Sequence, residues 1–204
     1  LGDVYKRQAL QIAFEHDNTV LIEKFIPGRE FRIFIINDEV VGILHRVPAN
    51  VTGDGVLNIG QLIDMKNEDP LRGKGYRTPL EKIRMGREEE MFLKQQGMDF
   101  NTVPKEREVV YLRENSNIST GGDSIDFTDD IDDSYKAIAV EAAKALNVKI
   151  TGLDMMIQDI HAPATPDNYA IIEMNFNPAI HIHCYPFKGK NRHLNHKMIK
   201  ALGF

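Results

Sequence analysis

Two short apolar segments each contain an acidic residue, and their spacing brings the acids together. Residues 150–158 and 171–178 have the length and apolar content of strands, and the polar stretch between them, which contains two prolines, predicts a connecting loop. In a hairpin symmetric about that loop, Asp154 lies opposite Glu173. Asn175 follows on the same face, because side chains alternate along a strand. Two carboxylates and an amide placed in this way are oxygen ligands suited to Mg²⁺.

The other face of this hairpin is expected to be apolar and buried. It would carry Leu153, Met155, Ile157, Ile172 and Met174. Two like charges beside such a core are costly unless a cation lies between them. The alternative is that one acid pairs with an arginine while the other is solvated at a strand edge, and the residues themselves leave both interpretations open.

Composition narrows the class of protein. The chain has 204 residues, of which 42% are hydrophobic and 27% charged, as in a soluble protein of one large domain or two small ones. A net charge of −5 without a basic stripe argues against nucleic acid as a partner. A single cysteine, Cys184, excludes an internal disulfide. No apolar run is long enough to span a membrane and no signal peptide is visible, so we expect a cytoplasmic protein.

The elements that must position the acids are mostly strands in the first quarter of the chain. Residues 1–8 have no pattern and are interpreted as a non-native leader, and residues 9–16 predict the end of a helix. Residues 20–25 predict a strand, and residues 31–36 and 40–47 predict a hairpin. Charged residues surround this sheet, either as solvated edge charges or as a binding surface: Glu23, Lys24, Glu30, Arg32 and Arg46.

Helices are predicted farther along the chain. Residues 59–66 form a short one, and Thr78-Pro79-Leu80-Glu81 has the cap, proline and glutamate of a helix start, for a helix that ends before Gly97. The run 88–90 of three glutamates would be its solvated face. Another helix, over residues 134–146, would follow Asp132 and Asp133 and bury Ile138, Ala142 and Leu146, and residues 196–202 would close the chain.

Three segments carry open interpretations. In residues 114–126, the pair Gly121-Gly122 allows backbone amides to form an anion-binding nest, although such loops are usually ordinary connections, and neither a P-loop nor a calcium-loop pattern is present. The basic run between residues 66 and 87 either faces an anionic ligand or is solvated. Residues 181–192 contain histidines and a cysteine but lack a fourth ligand for a zinc site. This basic segment would either fold over an anionic group, such as a phosphate or carboxylate, or be solvated.

The sequence resembles the ATP-grasp superfamily of carboxylate–amine ligases, and within it the C-terminal ligase domain of the bifunctional bacterial enzymes that fuse glutamate–cysteine ligase to glutathione synthetase. The resemblance runs from about residue 9 to the end. It rests on LIEKFIPGRE (21–30), RVPANVTGDG (46–55), RTPLEKI (77–83), VYLRENSNISTGGDSID (110–126) and IIEMNFNPAIHIHCYPFKGK (171–190). It implies an α+β fold, a mixed or antiparallel sheet flanked by helices, with the first part of the grasp lying upstream of this chain, so that residues 9–204 are a partial domain.

The resemblance also implies roles for individual residues. ATP would be bound by a hinge at Glu23, Lys24, Phe25 and Ile26, with Glu30 on the ribose, and Mg²⁺, or Mn²⁺ in its place, by Asp154, Glu173 and Asn175. Arg46 and Arg113 would contact the phosphate or acyl phosphate. The substrate would lie along Asn115, Asn117, Ser119, Gly121, Gly122 and Asn177.

The implied reaction joins γ-glutamylcysteine to glycine through an acyl phosphate, in a polypeptide that also carries the glutamate–cysteine ligase domain. We expect little activity from this chain alone. One alternative is a ligase similar to cyanophycin synthetase, which shares the VPA…GDG segment and the STGG loop. In that family the metal-binding strand tends to differ from MNFNP, and the residues after STGG tend to differ from Asp123-Ser124. Another is a non-catalytic assembly module that forms a homodimer through its sheet and the helix predicted after Leu80.

Overall fold

A five-stranded antiparallel sheet lies at the centre of the fold. The computed structural model describes Arg7, residues 10–22, Lys24 and residues 26–204. Its strands are β1 (Arg29–Ile36), β2 (Glu39–Val47), β3 (Asn50–Thr52), β4 (Arg72–Gly73), β5 (Leu80–Glu81), β6 (Val109–Tyr111), β7 (Asp123–Asp126), β8 (Ile150–Ile157) and β9 (Tyr169–Asn175). Residues 10–14 are helical, in agreement with the helix end predicted over residues 9–16. The helices that follow are α1 (Ile59–Asn67), α2 (Arg87–Gln95), α3 (Asp133–Ala145), α4 (His181–Cys184) and α5 (Leu194–Ala201), with a 3₁₀ turn at Ile118–Thr120. The order β7-β2-β1-β8-β9 of the central sheet confirms the predicted α+β architecture.

The β1–β2 hairpin forms as predicted and is buried on both faces. Its turn places Asn37 and Asp38 at φ 47° and 65°, the left-handed conformation that a two-residue hairpin turn requires and that these residue types tolerate. One face of β1 packs with β8 against α3 in a core that includes Phe31, Ile33 and Tyr135. The other face packs against the C-terminal helices. Helix α3 begins at its cap Asp132, whose side chain accepts a hydrogen bond from the Ser134 amide at 2.9 Å, as expected.

The β8–β9 hairpin confirms the predicted pairing of the two acids but corrects one residue of its apolar face. Asp154 lies opposite Glu173, and Leu153 opposite Met174. A bulge follows, so that Met155 pairs with Ile171 and Ile172 becomes the extra residue. Ile172 is therefore 56% exposed rather than buried, because the bulge interrupts the strict alternation on which its placement depended.

The helix predicted from Leu80 is wrong over its first half. Leu80–Glu81 pairs in parallel with Arg72–Gly73, and the helix comprises only Arg87–Gln95. The Thr78 hydroxyl donates to the Leu80 carbonyl at 3.1 Å, and the Glu81 carboxylate accepts from the Tyr76 amide at 2.5 Å. These contacts with the preceding loop outweigh a capping signature that is only local.

Three further expectations need correction. Among the described residues of 20–25, none is in a strand, and Leu21 is 79% exposed, since a strand requires a paired neighbour. Residues 123–126 form β7 rather than loop. Helix α3 buries Tyr135, Ala139 and Ala143 and packs the expected Ile138 and Ala142, partly buried, against the same core, but Leu146 at its end is 61% exposed. No helix in the described part of the chain has the length and apolar character to cross a membrane.

A second, smaller unit packs beside the sheet. Strands β3 and β6 form a ladder, and α1 and α2 pack on it around Val51, Leu62, Leu93 and Leu112. Helix α1 has a capping box, in which Asn58 accepts from the Gln61 amide at 2.8 Å and the Gln61 side chain accepts from the Asn58 amide at 3.0 Å. This unit forms one wall of the cavities described below.

The segment that follows β9 crosses one face of the central sheet. We name residues 178–192 the strap. A Cβ atom on Gly152 of β8 would lie 2.8 Å from Pro178, and one on Gly42 of β2 would lie 2.8 Å from the His183 ring. At the far edge, Lys188 forms a parallel bridge to β7. The strap therefore runs from the β9 edge to the β7 edge, and α5 follows it.

Candidate functional site

Charged and amide side chains gather on the face of the sheet that the strap crosses. Because side chains alternate along each strand, the register places these residues on the same face. They are Glu30 and Arg32 on β1, Arg46 on β2, Asp154 on β8, and Glu173 and Asn175 on β9. Arg32 lies directly opposite Asp154.

The Asp154 carboxylate is held by two guanidinium groups. Asp154 is only 3% exposed. The Arg32 Nε donates to one carboxylate oxygen, and its Nη2 donates to the other at 2.8 Å. The Arg46 Nη2 also donates to that second oxygen at 2.9 Å. One of the two acids is thus paired with arginine, which is the alternative that the sequence left open.

Arg46 and Glu30 extend this network toward the second unit. The Glu30 carboxylate forms an ion pair with Arg46 and accepts a hydrogen bond from the Ser116 hydroxyl. Two arginines and two acids therefore alternate across three strands, with their charges balanced. Sequence reasoning placed neither Arg32 nor Ser116 among the site residues. Arg32 was identifiable as a charge inside an apolar strand, whereas Ser116 lies in a polar loop and gave no signal.

Glu173 and Asn175 lie at the solvent-facing end of the row. The Asn175 side-chain amide donates to a Glu173 carboxylate oxygen at 3.0 Å, and Glu173 is exposed. Within the described residues, no group of three or more His, Cys, Asp or Glu side chains is arranged to hold a metal ion. The donor chemistry nevertheless fits a hard divalent cation, because Glu173 and the Asn175 carbonyl offer oxygens beside Asp154. Asp154 can join them only by exchanging a guanidinium hydrogen bond.

Two cavities meet at Arg46 and Asn117. The larger, about 670 Å³, is also lined by Glu30, Arg113, Asn115, Ser116 and Met156, among others. The smaller, about 190 Å³, is lined by Arg32, Ser119, His181 and Ile182 in addition to the two shared residues. The larger volume lies within the range of small-molecule and cofactor sites.

Arg113 lines the larger cavity but is anchored by α2. It donates from Nε to the Glu89 carboxylate at 2.6 Å and pairs with Glu88 as well. Glu89 is 1% exposed, so the expectation that the whole run 88–90 is solvated is wrong for this residue. The cause is Arg113, a partner from a distant part of the chain.

The glycine pair of the loop 114–126 is required by packing. Gly121 has φ 94°, and a Cβ there would lie 2.8 Å from the Ile83 Cα; one on Gly122 would lie 2.8 Å from the Val47 carbonyl oxygen. The Gly121 amide donates to Ile118 and the Gly122 amide to Asn117, so neither points at a ligand. These contacts place Asn117 and Ser119 at the small cavity.

The remaining predicted binding residues lie at the margins. Glu23 and Phe25 lie outside the described residues. Lys24 is exposed and Ile26 is partly buried, ahead of β1. Asn177 is exposed just beyond β9.

Basic residues that the sequence left open as either ligand-facing or solvated have acidic partners in the structure. Lys66 and Arg72, from the basic run 66–87, both pair with the buried Asp123 of β7. In the strap, Arg192 hydrogen-bonds Asp126 and Asp129. Hydrogen bonds from Arg192 and Lys190 hold the pKa of Asp129 below its ordinary value.

Comparisons with known proteins agree with the resemblance. The chain matches no protein-family model. It is 64% identical over 197 residues to the glutathione biosynthesis bifunctional protein of Desulfotalea psychrophila and 58% identical over 195 residues to that of Clostridium perfringens. These alignments cover 97% and 96% of this chain, and the chain spans 25% of the length of each relative.

The structural comparison gives the same result. A crystal structure of a bifunctional glutathione synthetase from Pasteurella multocida matches with a TM-score of 0.82 and 47% identity, over 96% of this chain and 27% of that one. The predicted partial ligase domain therefore corresponds to about a quarter of a longer type of protein. Over these residues, the chain is a homologue of the bifunctional glutathione biosynthesis proteins and has the fold of the corresponding part of that structure.

Proposed function

We propose that this chain supplies the metal-binding and phosphate-facing part of an ATP-dependent carboxylate–amine ligase. The reaction is the glutathione synthetase step, in which the carboxylate of γ-glutamylcysteine is phosphorylated by ATP and the resulting acyl phosphate is attacked by the amine of glycine. The products are glutathione, ADP and phosphate. The complete activity belongs to a longer polypeptide that also carries a glutamate–cysteine ligase domain.

One observation carries this proposal. Asp154, Glu173 and Asn175 meet beside Arg32 and Arg46 on one sheet face, in a chain that is 64% identical to a glutathione biosynthesis protein. Oxygen ligands next to guanidinium groups are what phosphoryl transfer requires, because it depends on positioning and on charge neutralisation.

In this proposal the nucleotide occupies the larger cavity. Glu30 and Met156 line it, and Lys24 and Ile26 lie just ahead of β1 on the hinge segment. Glu30 would accept hydrogen bonds from the ribose hydroxyls. Asp154, Glu173 and Asn175 would hold Mg²⁺, or Mn²⁺ in its place, which when bound supplies a Lewis acid that neutralises phosphate charge.

The protein's own cations act on the reacting carboxylate and phosphate. Arg32 and Arg46 border the small cavity, where they would orient the oxygens that lose or gain charge. Asn117 and Ser119 would hydrogen-bond the peptide substrate there, and Asn115 would reach it from the larger cavity and Asn177 from beyond the end of β9. Gly121 and Gly122 would shape this loop instead of donating their amides to the substrate. Arg113 would contact the same ligand from the larger cavity while Glu88 and Glu89 fix its position.

Calorimetric titration with Mg²⁺ and a non-hydrolysable ATP analogue tests the proposal. Glu173→Gln is the informative variant, because Glu173 is exposed and hydrogen-bonded only to Asn175, so its loss should not disturb the fold. We expect binding to weaken at least about 10-fold, with Glu141→Gln, a change on the outer surface of α3, as the matched control.

The proposal fails if binding is equal in the wild type and Glu173→Gln. Should the wild-type chain not bind, the titration is repeated on a polypeptide extended to the full length of the relatives. Absence of metal-dependent binding there also contradicts the proposal.

A further inference from the structure

The far end of the strap is fastened by Arg192. Its Nε donates to the Asp126 carboxylate oxygens at 3.0 and 2.9 Å, and its Nη1 and Nη2 donate to the two oxygens of Asp129 at 2.9 Å each. The guanidinium fork is thus filled by two carboxylates, one at the end of β7 and one in the loop that follows. Because both sides of the guanidinium group are hydrogen-bonded, its orientation is fixed as well as its position.

Backbone contacts join the strap to β7 beside this clamp. The Asp126 amide donates to the Lys188 carbonyl at 2.9 Å, and the Lys188 amide donates to the Ser124 carbonyl at 3.2 Å. Gly189 has φ 118°, and a Cβ there would lie 2.5 Å from the Asp126 Cβ. The strap therefore approaches β7 as closely as the backbone allows.

The middle of the strap forms a wall of the small cavity. Ala179, His181 and Ile182 line that cavity opposite Arg32 and Arg46. Between the wall and the clamp, the Arg192 amide donates to the His183 carbonyl at 3.2 Å, which links the two directly. A shift at Arg192 would therefore be transmitted to the wall through one hydrogen bond and a short stretch of chain.

We propose that Arg192 is a positioning residue for the small cavity. By clamping the strap to Asp126 and Asp129, it holds the wall formed by Ala179, His181 and Ile182 at the distance from Arg32 and Arg46 that suits a carboxylate or phosphoryl group. The inference rests on the proposed function in so far as that group belongs to the ligase reaction. Arg192 does not touch the ligand, because its donors are used by the two aspartates.

Lys190 provides a matched control. It is also basic, also lies in the strap and also pairs with Asp129, at 2.8 Å. Its side chain, however, is 74% exposed and forms only this one ion pair, whereas that of Arg192 is 16% exposed and joins two carboxylates. Exposed single pairs contribute little to stability.

Amide hydrogen exchange in the ligand-free chain tests whether Arg192 holds the wall. The Tyr185 amide, bonded to His181, and the Lys188 amide are the reporters. In Arg192→Met we expect their exchange to accelerate at least about 10-fold, in Arg192→Lys by an intermediate factor, and in Lys190→Met by less than about 2-fold. Equal exchange in Arg192→Met and Lys190→Met would overturn the proposal.

Binding of Mg²⁺ and the ATP analogue then separates positioning from a purely structural role. We expect Arg192→Met to weaken binding about 10-fold and Arg192→Lys to restore part of it, with Lys190→Met unchanged. Faster exchange with unaltered binding would make Arg192 a structural clamp only and would overturn the positioning role. Failure of the proposed function is distinguishable, because the wild type and Glu173→Gln would then bind equally or the full-length polypeptide would not bind, while the exchange comparison would still decide whether Arg192 holds the wall.

Discussion

At the scale of single residues, Asp154 and Glu173 differ more than their pairing suggests. Asp154 is buried between Arg32 and Arg46, whereas Glu173 faces solvent and contacts Asn175. Removing one partner of a buried ion pair leaves an uncompensated charge, which is strongly destabilising. Amide substitution should therefore lower different quantities at the two positions: the stability of the protein at Asp154 and the affinity for the ligand at Glu173.

Asp154→Asn is expected to lower the free energy of unfolding by about 3 kcal/mol, because Arg32 loses its buried counter-charge. Glu173→Gln should change it by less than about 0.5 kcal/mol, as for other exposed positions. Urea unfolding followed by circular dichroism measures both. Equal effects of the two substitutions would contradict the burial difference.

The buried His183 and the partly buried His45 make stability depend on pH. Burial, with a smaller contribution from the nearby Arg32 charge, lowers the pKa of His183 to about 3, and burial with Arg29 lowers the pKa of His45 to about 4. His181 is exposed, and partial desolvation also lowers its pKa. The unfolded chain binds these protons near the ordinary pKa of 6.5, so stability is complete above that pH and falls as the pH drops from 6.5 toward 4.

His183→Leu should reduce this pH dependence. Among the residues that the structure describes, neither ring nitrogen of His183 has a hydrogen-bond partner, and the ring packs on Phe34, so leucine costs little at pH 7. Between pH 6 and 4 the slope of unfolding free energy should decrease by up to about 1.4 kcal/mol per pH unit. Urea unfolding at several pH values checks this, and an unchanged slope would rule out His183 as a contributor.

At the scale of elements, packing determines why the loop 114–126 requires glycine, as a comparison of Gly121 with Gly97 shows. Gly121 and Gly97 both have positive φ, at 94° and 73°, yet a Cβ on Gly121 would collide with Ile83, whereas one on Gly97 would meet nothing within 4 Å. Gly97 ends α2, and its role is only conformational. A comparison of Gly97 with Gly121 therefore separates the cost of backbone strain from the cost of steric overlap.

Gly97→Ala should cost about 1 kcal/mol, the penalty for a left-handed alanine. Gly121→Ala should cost about 3 kcal/mol, since overlap with the Ile83 backbone adds to the same penalty. Chemical denaturation of both variants provides the measurement. A Gly121→Ala variant no less stable than Gly97→Ala would show that the loop can relax around the added methyl group.

Local patterns predicted those elements whose partners are close in the sequence. The alternation in residues 150–158 and 171–178 predicted the hairpin and the meeting of Asp154 with Glu173. The pattern could not predict Arg32 as a partner of Asp154, because 122 positions separate them. A distant partner also explains Glu89, which is buried by Arg113. Leu80 is a different case, because its partner strand β4 lies close in the sequence and the helix-start signature still gave way to pairing with it.

At the scale of the whole molecule, two apolar cores are joined by a polar contact. Asp123 of β7 accepts hydrogen bonds from Lys66 on α1 at 2.7 Å and from Asn50 on β3 at 3.0 Å, and it also pairs with Arg72. This buried carboxylate is thus one of the contacts that attach the smaller unit to the central sheet, along with the hydrogen bond from Ser116 to Glu30. This attachment sets the walls of both cavities, because the loop 114–126 lies between the two units.

Asp123→Asn should therefore loosen the connection between the units. We expect the unfolding free energy to fall by about 3 kcal/mol, because Lys66 and Arg72 remain buried without their counter-charge. Calorimetric unfolding should become broader than two-state, as the units unfold less cooperatively. The control is Glu106→Gln, which removes an exposed pair with Arg107. If the unfolding transition of Asp123→Asn were as sharp as that of Glu106→Gln, this expectation would be contradicted.

The route of the strap also gives the protein an internal reporter. Cys184 is the single cysteine of the chain and lies in the strap, 5% exposed, in a core with Phe34 and Val41 of the sheet and Leu194 of α5, so the strap must move away from that core before solvent can reach its sulfur. A thiol reagent added to the native protein would then react at the rate at which the strap opens. Colour development in a simple chemical assay would measure the motion of the cavity wall without any introduced label.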